Sequence, residues 1–146
     1  MKKVLFALTV AAVLCSSASA ATASSPAAYR AQVNAICAKG VAQLNAIPRP
    51  TTNDGLLPYF QKAAAMGDKL LVKIAAVAPP ASLQPAVSNA INLQGAFETG
   101  LHRLVAKLRT SSNPRKTVLA AEPKLTSLND KANAAWRKAG LVKCAG

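Results

Sequence analysis

The chain has 146 residues and carries 18 lysines and arginines against 5 acidic residues, with three cysteines, one histidine and a formal net charge of +13. That length suits a short leader and one domain rather than several domains. Gly-x-Ser-x-Gly, His-Glu-x-x-His and glycine-rich phosphate loops do not occur, so the familiar hydrolase, zinc-protease and nucleotide-binding signatures are excluded.

Residues 1–20 have the order of a secretory signal. Met1-Lys2-Lys3 is charged, Val4 to Leu14 is an apolar run, and Ala18-Ser19-Ala20 supplies small residues for cleavage after Ala20. The apolar run is eleven residues long, well short of the roughly 20 needed to cross a bilayer, and no later segment comes closer without interruption. Cys15 follows Leu14 rather than a small residue, so it is read as leaving with the signal and not as a lipidation site. The remaining chain, 21–146, then has 16 basic and 5 acidic residues, a formal charge of +11, and is read as a single helical-bundle domain.

Ser25-Pro26 offers an N-cap followed by proline at the first helical position. Apolar residues recur at Tyr29, Val33, Ile36, Cys37, Val41 and Leu44, the spacing of one helix face, until Pro48 and Pro50 intervene; the first helix is expected over about 26–46. Thr51 to Gly55 is turn chemistry. A second helix, about 55–78, has a face of Leu57, Phe60, Ala64, Gly67, Leu71, Ile74 and Val77 and stops at Pro79-Pro80.

Ser82 or Gln84 with Pro85 opens a third helix, about 84–109, whose face is Val87, Ile91, Phe97, Leu101, Leu104, Val105 and Leu108. Asn113-Pro114 repeats the cap-and-proline signal. It begins a fourth helix, about 114–139, which Pro123 should kink or split and which Gly140 ends. No segment alternates apolar and polar residues as a strand would. The expected fold is therefore all-α, an antiparallel up-down four-helix bundle with no sheet.

Cys37 and Cys144 remain after the leader, and an even pair in an oxidising compartment is most simply a disulfide. In an up-down bundle the fourth helix returns to the end where the first begins. The residues after Gly140 are then long enough to climb back to Cys37 at up to ~3.3 Å each. The first two helices also share a faint repeat at an offset of 30, pairing Tyr29 with Tyr59 and Lys39 with Lys69.

Tyr29, Cys37, Ile47-Pro48-Arg49-Pro50, Leu57-Pro58-Tyr59, Pro79-Pro80 and Ala139-Gly140-Leu141-Val142-Lys143-Cys144 together resemble a loose group of small secreted bacterial helical proteins. The resemblance spans nearly the whole chain after residue 20. It implies a helical fold with one disulfide and carries over no functional residues.

Functional expectations rest on charge. Lys124, Lys131 and Lys138 recur every seven residues on one side of the fourth helix, and Arg103 and Lys107 are four apart on the third. Together they could form a stripe that draws anionic lipid head groups, cell-wall polymers or other polyanions through salt-sensitive attraction. Glu98 and His102, four apart, could share a metal or a proton, but the carboxylate and histidine set of a di-iron or zinc site is absent. No metal, cofactor or catalytic residue is expected. The few aromatics lack the interleaving of a stacking platform, so specific nucleic-acid reading is not expected either. Trp136 is read as core. The expected function is that of a secreted or periplasmic non-enzymatic basic binding module. The alternative is a helper or inhibitor protein that docks a partner through an apolar groove.

Overall fold

The computed structural model describes residues 25–146; the leader segment, with Cys15, lies outside the described residues. Four helices follow one another: α1 Pro26–Asn45, α2 Leu56–Ala75, α3 Gln84–Leu108 and α4 Pro114–Lys138. Among the described residues there is no strand, and the expected all-helical bundle is the fold observed.

Local chemistry accounts for the boundaries. The Ser25 hydroxyl accepts from the Ala28 amide at 3.1 Å, and the Asn113 side chain accepts from Lys116 N at 3.1 Å, so α1 and α4 each begin at a capped amide followed by proline. α3 instead starts behind Leu83, whose side chain makes no cap; its carbonyl accepts from Val87 N at 2.9 Å. α2 stops at Ala75, three residues before the sequence reading ended it. Pro79 disfavours the helical region for Ala78 just before it, and the turn closes with Val77 N donating to Ile74 O at 3.1 Å.

α4 runs through Pro123 as one helix, so of the expected kink or split the split does not occur. Pro123 and Leu119, whose carbonyl loses its helical donor there, both lie on the exposed side, where water can satisfy that oxygen. At the far end, Gly140 adopts φ +77°. Leu141 N donates to Trp136 O and Gly140 N donates to Arg137 O, each at 2.9 Å, the paired bonds of a Schellman stop. Arg30 Nε occupies the space a Cβ on Gly140 would need, so both conformation and space select glycine.

α1 packs on α2, α2 on α3 and α3 on α4, and α2 also touches α4. Among the described residues, no Cα of α1 comes within 8 Å of one in α4. The chain bridges that side with its last residues. Arg30 Nε donates to Ala139 O at 3.1 Å, Asn34 Nδ2 donates to Gly140 O at 3.4 Å, and Lys143 N donates to Asn34 Oδ1 at 2.9 Å. Cys37 and Cys144 form a disulfide with Cα atoms 4.9 Å apart, as the cysteine count predicts. The main core lies here, where Tyr29, Val33, Ile74, Val87, Trp136 and Leu141 are packed together. α1 and α4 are thus linked through a tail and a disulfide, and the middle of the bundle remains partly open.

Candidate functional site

Two regions stand out, one on the surface and one inside. The surface region is the groove between α3 and α4. Arg103 and Lys107 line it from α3 and Lys124 from α4, over a floor of Leu104, Leu125, Leu128 and alanines. Lys107 is shared with a second hollow at the α3–α4 loop, where Lys116 joins it beside Ser111 and Asn113. No acidic residue lines either hollow.

The five basic residues singled out by spacing are all exposed, and three of them meet in this groove. Lys131 and Lys138 lie further along α4, two and four turns beyond Lys124, and do not line it. Among the described residues, no lysine or arginine lies within 4.0 Å of a carboxylate, since the one close pair is His102 with Asp68 at 2.9 Å. The groove cations are therefore not neutralised by neighbouring side chains.

Sequence reasoning missed a second cationic group. Lys39 from α1 and Lys69 and Lys73 from α2 line a smaller hollow between those helices. The offset-30 repeat contained the signal, because it pairs Lys39 with Lys69. Recognising the group needed the α1–α2 register, in which Gly40 faces Leu70.

The interior region is a cavity of about 350 Å3 where α1 and α4 stand apart. All four helices and the tail line it. Val41 and Leu44 come from α1, Tyr59 and Phe60 from α2, Phe97 and Leu101 from α3, Trp136 from α4, and one wall is the Cys37–Cys144 bridge. The walls are mainly apolar and aromatic, with polar side chains from Gln94 and Glu98 on α3, Asn129 and Asn133 on α4, and Asn45 at the end of α1.

Glu98 is 5% exposed, the one buried charged residue among the described residues. Its Oε1 accepts from Gln94 Nε2 at 2.9 Å, and Gln94 Oε1 accepts in turn from Trp136 Nε1 at 3.2 Å. Oε2 has no hydrogen-bond partner in the protein. The carboxylate lies against the backbone of Gly67 on α2, so close that a Cβ there would overlap it. Burial pushes the Glu98 carboxyl above the ordinary carboxylate range; the Gln94 hydrogen bond opposes the shift, Asp68 reinforces it and His102 weakly opposes it.

The Glu98–His102 pairing read from sequence does not form a site. His102 is half exposed and bonds to Asp68 of α2 at 2.9 Å, while Glu98 turns inward to Gln94. Among the described residues, no three His, Cys, Asp or Glu side chains gather in a metal-binding arrangement. Trp136 is 1% exposed and belongs to the core, as expected. The burial of Glu98 was legible in principle, because Ile91, Gln94, Glu98, Leu101 and Val105 follow one another at helical spacing along the stripe that faces the other helices.

No family model matches this chain, and neither a curated protein nor a solved structure matches it.

Proposed function

We propose that this chain works outside the cytoplasm as a non-enzymatic binding module that engages anionic lipid surfaces or anionic polymers through the basic groove of α3 and α4. The observation that carries the reading is the convergence of Arg103, Lys107 and Lys124 on one concave strip that contains no carboxylate. Cations in a groove with low-dielectric walls concentrate counter-charge more effectively than the same cations scattered over a convex surface. The leucine and alanine floor favours an anionic amphiphile over a purely hydrophilic polyanion, because it offers apolar contact once the head group is neutralised.

A working place outside the cytoplasm is supported by the order of residues 1–20 and by the disulfide, since such bonds persist in oxidising compartments. Among the described residues, no helix is long and apolar enough to cross a membrane, so attachment to a bilayer would be peripheral.

The test is binding of the oxidised chain, residues 21–146, to phosphatidylglycerol vesicles, phosphatidylcholine vesicles and soluble heparin across a salt series. The expected result is binding to the anionic targets alone, weakening steeply between low and physiological ionic strength. Binding that persists at high salt and ignores lipid charge would instead support docking of a protein partner through the apolar floor. Absence of binding to every target at low salt would reject the electrostatic reading.

A further inference from the structure

We infer that the interior cavity is a binding site for a small apolar amine, with Glu98 as the counter-charge for its nitrogen. The site shares no lining residue with the α3–α4 groove, so the inference stands independently of the surface reading.

A carboxylate is almost never fully buried without a cation or a complete set of donors, because desolvation of an ionised group costs several kcal/mol. Glu98 has one donor, Gln94, on one oxygen. Its second oxygen has no protein partner, and the Glu98 side chain lines a cavity whose volume, about 350 Å3, lies at the lower end of the roughly 300–1,000 Å3 range of small-molecule sites. Among the described residues no lysine or arginine approaches it, although the chain carries 18 of them. The bundle could have formed its core with leucine at position 98. Instead it holds an acid against Gly67, one of the few residues that leaves room for the group.

The geometry defines the chemistry of the guest. A protonated nitrogen donates to the Glu98 carboxylate and supplies the missing positive charge. An apolar body then packs against Tyr59, Phe60, Phe97 and Trp136, whose rings also favour a nearby cation. The titratable groups around the carboxylate are Asp68 and Tyr59 on α2 and His102 on α3; the cavity residues contributed by α1 and α4 carry no charge. An amine therefore meets a locally acidic centre within a basic protein. An anionic guest would face the buried carboxylate.

Trp136 is the single tryptophan of the chain and lines the cavity, so it reports occupancy directly. The experiment titrates 2-phenylethylamine, 2-phenylethanol and 3-phenylpropionate into the oxidised chain while following tryptophan fluorescence, and repeats the series with Glu98→Gln. The expected result is saturable binding of the amine, roughly tenfold or more tighter than that of the alcohol, no binding of the acid, and loss of the amine preference in E98Q. Equal binding of amine and alcohol, or no response to any probe at millimolar concentration, overturns the inference. An amine preference that survives intact in a folded E98Q also overturns it. Should E98Q not fold, the amine-to-alcohol ratio of the unaltered protein decides by itself.

Discussion

Arg30 near the start of α1 donates from Nε to the carbonyl of Ala139 at 3.1 Å, joining positions 109 residues apart at the place where α4 ends. The same guanidinium occupies the space that a side chain on Gly140 would need. One arginine thus fixes both the direction in which the chain leaves α4 and the approach of the tail to α1, which brings Cys144 to Cys37.

Replacing Gly140 with alanine forces a Cβ into the left-handed region and against Arg30. The expected cost is about 1–3 kcal/mol, read as a lower midpoint in urea or thermal denaturation of the oxidised protein.

The Cys37–Cys144 bridge spans a sequence separation of 107, for which loop-closure entropy gives about 4–5 kcal/mol at its limit. Cys37→Ser with Cys144→Ser should lower stability by about 2–5 kcal/mol, and reduction of the natural protein should lower its melting temperature to match.

Buried Tyr29 has no partner in the protein for its hydroxyl, and burial also pushes its pKa upward. Tyr29→Phe removes an unsatisfied polar atom while leaving the ring, so the expected change is a gain of up to about 1–2 kcal/mol in denaturant unfolding. A clear loss of stability would mean that the hydroxyl is satisfied in solution.

Burial raises the folded-state affinity of Glu98 for a proton, so between the ordinary carboxylate range and its raised value the folded chain binds more protons than the unfolded one. This group's contribution to stability therefore increases as pH falls through that window and decreases as pH rises. Relative to Glu98→Gln, which does not titrate, the natural protein should gain melting temperature on going from neutral to mildly acid pH. The difference between the two melting curves measures it.

Within the groove, Lys124→Gln should weaken phosphatidylglycerol-vesicle binding by about 1 kcal/mol, roughly fivefold, whereas Lys131→Gln should weaken it less because Lys131 lies outside the groove. Neither exposed substitution should shift stability by more than about 0.5 kcal/mol. Equal effects would mean that overall charge, not the groove, governs binding.

Much of the architecture was legible because it is written in local chemistry. Ser25-Pro26, Asn113-Pro114 and Gly140 punctuate helices by capping and backbone preference, which require no knowledge of neighbours. The disulfide followed from cysteine count. The site was less legible because it depends on helix phase and register. Lys124 lines the groove with Arg103 and Lys107 while Lys131, on nearly the same side of α4, lies two turns further along, so which lysine meets the α3 cations is set by the α3–α4 register. The four-residue spacing of Glu98 and His102 permits a shared metal or proton but does not say which way either side chain turns. Only the packing of α2 against α3 reveals that Asp68 takes the histidine and leaves the glutamate inside. The cavity exists because α1 and α4 stand apart, a property of four helices together and of no single segment.

The position of the disulfide also determines how the protein responds to mechanical load. Tension applied between Ser25 and Gly146 can unravel the residues ahead of Cys37 and the two after Cys144, and then meets a covalent bond. α2, α3, α4 and the second half of α1 lie within the closed loop and are shielded from the pull. A single-molecule extension trace of the oxidised chain should therefore end once the residues outside the bridge are straight, at about 50 Å of total chain length at up to ~3.6 Å per residue, part of which α1 already spans when folded. A partner pulling on both ends would leave the basic groove inside the closed loop, while drawing Tyr29 and Val33 out of the core and Gly146 away from the cavity wall.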